Sequence, residues 1–128
     1  MCIRDSDGPV QLTARTPLVD VTCAGVHGEP VVLDAHSTVF CVLGAGNHDP
    51  DAFDDPHRLD LHRPNAGRHL AFAAGIHYCL GAALARLEAE EAIGMLIRRF
   101  PTIEMTAAPE WRDRLTIRGV SRLDLTVG

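Results

Sequence analysis

Between Leu18 and Ala24 the side chains alternate, Val19, Val21 and Cys23 against Asp20 and Thr22, the period of two that marks a half-buried strand. The preceding stretch from Asp7 to Arg15 reads as an extended, proline-started segment. Gly25, Gly28 and Pro30 punctuate a turn. Ser37 to Leu43 is β-branched and almost continuously apolar, which predicts a second strand covered on both faces. The economical arrangement pairs it with the first strand as a hairpin. From Gly44 to Gly67 the rhythm is lost among Gly, Pro, Asn, Asp and His. The expectation there is a long irregular segment with a short helix through Asp51 to Phe53. Irregular segments of that length in a compact domain are usually functional.

After Cys79 the period becomes helical. Ala82, Ala85, Ala89, Ala92, Ile93, Leu96 and Phe100 trace one apolar stripe. Leu80, Ala83, Leu84 and Leu87 form a second stripe on the other side of the first half. The charges Glu88, Glu90, Glu91, Arg98 and Arg99 gather later, so the helix runs from an interior toward a surface, and Pro101 stops it. Thr102 to Met105 and Val120 to Val127 read as short strands, with a loop from Pro109 to Gly119 between them. The fold class is α+β.

Composition narrows this only modestly. The chain has 128 residues, 46% of them hydrophobic and only 5% aromatic, so its core leans on aliphatic side chains and alanine. A net charge of -5 argues against a nucleic-acid or anionic-membrane partner. The apolar runs fall short of the ~20 residues of a membrane helix, and no secretory leader is visible, which predicts a soluble, cytoplasmic chain. The cysteines, Cys2, Cys23, Cys41 and Cys79, form no C-x-x-C pair and are expected to be free thiols. Cys23 and Cys41, on strands, read as small buried hydrophobes.

Cys79 differs from the others in its setting. Gly75 and Gly81 bracket it, Phe72 and His77 precede it, and a helix begins just after it. Unpaired N–H groups and the positive end of the helix dipole stabilise negative charge on such a sulfur. The flanking glycines let backbone approach closely. The result is either a nucleophile or a metal ligand. Zinc would want paired ligands at short spacing, and His77-x-Cys79 supplies only one pair. No local signature supports a cysteine hydrolase or a G-x-S-x-G nucleophile elbow. Gly44-x-Gly46 is followed by Asp49-Pro50 rather than a helix, unlike a dinucleotide site.

The run Phe72-Ala-Ala-Gly75-Ile-His77-Tyr-Cys79-Leu-Gly81 resembles the cytochrome P450 haem signature, F-G-x-G-x-H/R-x-C-x-G. The likeness continues through Ala82-Ala-Leu-Ala-Arg-Leu-Glu88. Upstream, Pro9 to Arg15 looks like the strand carrying a propionate-binding arginine, and Gly46 to Arg63 like the segment entering the family's meander. The resemblance implies the C-terminal part of a mainly helical cytochrome P450 domain: β-hairpin, meander and cysteine loop, one long helix and a terminal β segment. It implies haem b (iron protoporphyrin IX) as cofactor, with Cys79 the iron ligand. Cofactor binding falls on Arg15, Phe72, Gly75, His77, Cys79, Leu80 and Gly81; Arg15 and His77 would hold the propionates. It further implies a monooxygenase acting on a small organic substrate, with a ferredoxin or flavodoxin as electron donor, and no catalytic residue here beyond the haem ligand. Thr116 and Ile117 match a family position at the substrate pocket, and His69 reads as ordering the loop. The alternatives are a haem-binding protein without oxygenase activity, or a non-haem cysteine enzyme.

Departures from the pattern sharpen the expectations. Ala73 stands where the signature has its first glycine, so it needs an allowed φ. Asp34 and His36 stand where the family usually has proline and glycine, Gly28 to Val32 looks like a small turn insertion, and His48 replaces an arginine. Arg63 matches a structural arginine that pairs with a Glu-x-x-Arg helix. That motif should fall at residues 2 to 5, where the chain reads Cys-Ile-Arg-Asp, which would leave Arg63 without its carboxylate. The likeness begins at Asp7, so Met1 to Ser6 reads as a non-native leader and residues 7–128 as the family's domain. The family's oxygen-activating helix has no counterpart here, and the chain by itself is expected to be inactive.

Overall fold

The computed structural model describes residues 8–128; the expected leader Met1 to Ser6 lies outside them. Its strands pair in antiparallel twos. Strand β1 (Thr13–Arg15) lies against β4 (Val39–Cys41), with Thr13 opposite Cys41. Strand β2 (Val21–Ala24) turns directly into β3 (Pro30–Leu33). Further on, β5 (Ile103–Met105) pairs with β8 (Leu125–Val127), and β6 (Glu110–Trp111) with β7 (Val120–Arg122). The helices are a single turn, α1 (Leu43–Gly46), and the long α2 (Ala82–Arg99) of 18 residues. Short 3-10 turns occupy Ala66–Arg68 and Gly75–His77. This is the α+β class read from the pattern. No helix among the described residues is long and apolar enough to cross a membrane.

The expected pairing of Leu18–Ala24 with Ser37–Leu43 is not the one formed. Gly25 closes a tight turn, its N–H donating to the Glu29 carbonyl at 2.6 Å, with Gly28 at φ +84°. The nearest β-branched run, Val31 and Val32, therefore folds straight back onto β2, the shorter and cheaper loop closure. The later strand is freed to meet β1. It is not covered on both faces either: Phe40 is 63% exposed. Cys23 and Cys41 are exposed rather than buried, because each two-stranded ribbon lacks a covering layer among the described residues.

Other boundaries shifted as well. The short helix lies at Leu43–Gly46, not at Asp51 to Phe53, where a single turn forms with the Phe53 N–H on the Asp49 carbonyl at 2.9 Å. The stretch read as a loop from Pro109 contains β6, and the Arg118 guanidinium lies 4.3 Å from the centre of the Trp111 ring. The long helix starts at Ala82, with Gly81 as its N-cap.

A small core holds the middle of the chain together: Phe53, Ala71, Phe72 and Ala82, with buried Asn47 among them. Asn47 Oδ1 accepts the Leu70 N–H at 2.7 Å, tying the end of α1 to the entrance of the cysteine loop. The Gly44 N–H donates to the Gln11 carbonyl at 3.0 Å, and the Gln11 N–H to the Thr116 carbonyl at 2.9 Å. These bonds pin the segment before β1 between α1 and the Thr116–Arg118 turn. Of the stripe read as Ala82, Ala85, Ala89, Ala92, Ile93, Leu96 and Phe100, all but Ala92 are at least partly covered; Ala92 is exposed, as are Leu80, Ala83, Leu84 and Leu87 of the second stripe.

A candidate cofactor cleft around Cys79

The loop before α2 is shaped by three local features. Ala73 takes φ +57° and Gly75 φ +63°, reversing the chain twice within three residues. The Ala73 N–H donates to the Leu70 carbonyl at 2.8 Å, and the Tyr78 N–H to the Gly75 carbonyl at 3.1 Å. The Cys79 N–H then reaches back to the Phe72 carbonyl at 2.9 Å, closing the loop. Gly75 accommodates its φ without penalty; Ala73 carries a Cβ in a region that L-residues adopt at a cost of roughly 1–2 kcal/mol. Ala73, standing where the signature has a glycine, thus lies in the left-handed region. His36 is also left-handed, at φ +63°, at the position where a glycine was expected.

Cys79 sits beside the start of α2. A Cβ built on Gly81 would come 4.0 Å from Cys79 Sγ, and the Cys79 carbonyl accepts the Ala82 N–H at 3.2 Å. The sulfur thus lies at the positive end of the helix dipole, as the spacing implied. Among the described residues no group of three or more His, Cys, Asp or Glu converges that could hold a metal ion without Cys79 acting with a cofactor's own ligands.

A cleft of about 280 Å³ opens in front of it, lined by Val10, Thr13, Arg15, Leu43, Ala71, Phe72, Ala73, His77 and Cys79. Four of the residues picked from sequence, Arg15, Phe72, His77 and Cys79, therefore share one cavity. The other three do not line it. Gly75 shapes the turn, and a Cβ there would meet nothing within 4 Å. Leu80 is fully exposed, and Gly81 caps the helix. Val10 forms an isolated bridge with Ile117, so the Thr116–Ile117 turn borders the cleft through Val10. The residues that sequence reasoning missed are Thr13 and the apolar walls, Val10, Leu43 and Ala71, the last three with no signature beyond hydrophobicity.

The supporting residues also have identifiable contacts. His69 Nδ1 accepts the Ala71 N–H at 3.1 Å and its ring lies 5.7 Å from that of Phe72, which orders the loop as read. Arg63 is held by backbone carbonyls rather than by a carboxylate. Its guanidinium donates to the carbonyls of Asp54, of Asp55 at 3.1 Å and of Arg58 at 2.9 Å, and lies over Phe53 at 5.9 Å. The carbonyls of its own meander satisfy its N–H donors.

A thiol at a helix start, an arginine and a histidine, and apolar walls between them match what haem presents: a metal that takes a soft donor, anionic propionates, and a flat apolar face. The donor set fits that group.

Comparison with known proteins agrees. The family model for cytochrome P450 matches residues 8–120. The chain is 50% identical over 125 residues to the putative cytochrome P450 140 of Mycobacterium tuberculosis, covering 95% of this chain and 27% of that protein. It is 41% identical over 123 residues to the cytochrome P450 monooxygenase PikC of Streptomyces venezuelae, covering 93% of this chain and 28% of the relative. Among solved structures, P450BioI in complex with an acyl carrier protein ligated to hexadec-9Z-enoic acid superposes with a TM-score of 0.87 at 35% identity. That match covers 98% of this chain and 31% of P450BioI. The chain thus spans less than a third of the length of these relatives, and it belongs to the cytochrome P450 family.

Proposed function

We propose that this chain supplies the cysteine-ligand side of a haem-thiolate monooxygenase, an enzyme that inserts oxygen into a small organic molecule. The observation that carries the reading is the convergence of Arg15, Phe72, His77 and Cys79 on one cleft from separated parts of the chain. Cys79 would hold the haem iron through its thiolate. Its N–H is engaged by the Phe72 carbonyl, which fixes the loop while leaving the sulfur free to bind. Arg15 and His77 bind the propionates, the arginine as a charged fork and the histidine as a donor. Val10, Leu43, Ala71 and Phe72 exclude water from the cofactor face, and Phe72 packs beside the sulfur, where neighbours tune a metal. Haem, when bound, supplies the oxygen-activating chemistry, and a thiolate ligand favours O–O cleavage.

In this reading residues 7–128 are the C-terminal part of the domain, Met1 to Ser6 are a non-native leader, and the protein works in the cytoplasm. Electrons come from a ferredoxin or flavodoxin. The test uses the haem-loaded protein that contains this chain, with a ferredoxin, its reductase and a panel of small hydrophobic substrates. Substrate-dependent consumption of reductant with formation of a hydroxylated product is the expected result. A reduced carbon-monoxide complex of thiolate type without any oxygenated product would instead favour a haem protein that is not an oxygenase.

A further inference from the structure

Phe72 is held by side chains that the proposed function does not use. The Arg86 guanidinium lies 4.9 Å from the centre of the Phe72 ring, within cation–π range. Arg86 Nη2 also donates to Tyr78 Oη at 2.8 Å. The Tyr78 ring in turn meets Phe72 in an edge arrangement, centroids 6.2 Å apart. Tyr78 immediately precedes Cys79, and Arg86 stands one turn into α2, just after it. One guanidinium therefore ties the loop on one side of the sulfur to the helix on the other. Arg86 is also the only charge between Leu80 and Leu87, on the stretch of helix closest to the cysteine.

We propose that Arg86 is a positioning residue that sets the reduction potential at the Cys79 ligand, a role that rests on the haem-thiolate reading above. Reduction of the bound iron adds one negative charge to the metal–sulfur unit. A fixed cation nearby favours the reduced form, and the effect falls off only as the inverse of distance. A mobile surface arginine would be largely screened; this one is immobilised by a ring face and a phenol. Only a planar guanidinium can stack and donate sideways at once, so lysine preserves the charge but not the brace.

The test is the reduction potential of the haem-loaded protein containing this chain, with the ferrous carbon-monoxide band recorded on each variant. Arg86→Gln should lower the ferrous-to-ferric ratio at a fixed poise about five- to tenfold, a shift of about 40–60 mV to more negative potential, with the thiolate band intact. Arg86→Lys, which keeps the charge without the brace, should shift the potential in the same direction but by less than Arg86→Gln. Tyr78→Phe, which frees the guanidinium, should shift the potential in the same direction by less. An unchanged potential in Arg86→Gln overturns the proposal, as does Arg86→Lys falling as far as Arg86→Gln. If Arg86→Gln fails to load haem, an unmoved potential in Tyr78→Phe also overturns it. Absence of a thiolate band from the parent protein would refute the ligand reading itself, a distinguishable failure.

Discussion

The backbone of Cys79 is bonded to that of Phe72, N–H to carbonyl at 2.9 Å, and this one bond makes the cysteine loop a closed structure. Both residues line the same cleft. The chain between them can hold its shape only with two left-handed residues, Ala73 and Gly75.

That geometry makes the loop sensitive to Cβ atoms alone. A Cβ at Gly75 meets no neighbour within 4 Å, so Gly75→Ala isolates the conformational cost. It should destabilise the protein by roughly 1–2 kcal/mol. Ala73→Gly should do the reverse, stabilising by less than about 1 kcal/mol because glycine also raises the entropy of the unfolded chain. Denaturant midpoints on the intact protein measure both. Equal effects of the same sign would contradict the assigned backbone.

Arg15 and His77 are proposed to share the propionates. A charge-assisted hydrogen bond contributes roughly 1.5–3 kcal/mol, so Arg15→Ala should speed haem loss about tenfold or more, with His77→Ala similar. Neither should move the thiolate band. Haem transfer to an acceptor globin gives the rates, and unchanged rates in both variants would remove these residues from the site.

Arg63 is held by the carbonyls of Asp54, Asp55 and Arg58. Arg63→Ala should therefore loosen residues 54–63 in particular, at a cost of about 1–2 kcal/mol. Hydrogen exchange should rise there first, before the cysteine loop. Arg63→Lys, which cannot span three carbonyls, should resemble Arg63→Ala more than the parent. Uniform loss of protection along the chain would contradict this local role.

The exposed leucines at and just before the start of α2 bear on the chain in isolation. Leu80, Leu84 and Leu87 are 103%, 59% and 56% exposed, a contiguous apolar surface of the kind that drives association. Residues 7–128 expressed alone should self-associate and bind a hydrophobic dye, and should not turn over substrate. Leu84→Glu with Leu87→Glu should reduce the association. A monomer that binds haem stoichiometrically and is catalytically active would contradict the reading of this chain as part of a larger domain.

The cysteine loop was legible because its chemistry is local. Glycines at set distances from Cys79, His77 and a following helical period are all carried within ten or so residues, and Arg15 followed from its likeness to a strand. Strand pairing was not legible. Ser37–Leu43 is apolar enough to pair with either β1 or β2, and the tight turn around Gly28 decides which is left available. The carbonyl contacts of Arg63 were not legible because backbone carbonyls leave no mark in a sequence. Burial was overestimated on β2 and β4 for a related reason: alternation predicts a face that can be covered, not what covers it. Tyr78 and Arg86 carried a weak sign, a single charge in an apolar half-helix, that only the ring geometry turned into a contact.

The most direct test of the central claim is the absorption spectrum of the reduced, carbon-monoxide-bound protein with Cys79 replaced by His. The haem-loaded parent should show the red-shifted band of a thiolate-ligated iron. Cys79→His should lose that band and show an imidazole-type spectrum, while Cys23→Ser and Cys41→Ser keep it. Survival of the red-shifted band in Cys79→His would contradict the assignment of Cys79 as the iron ligand.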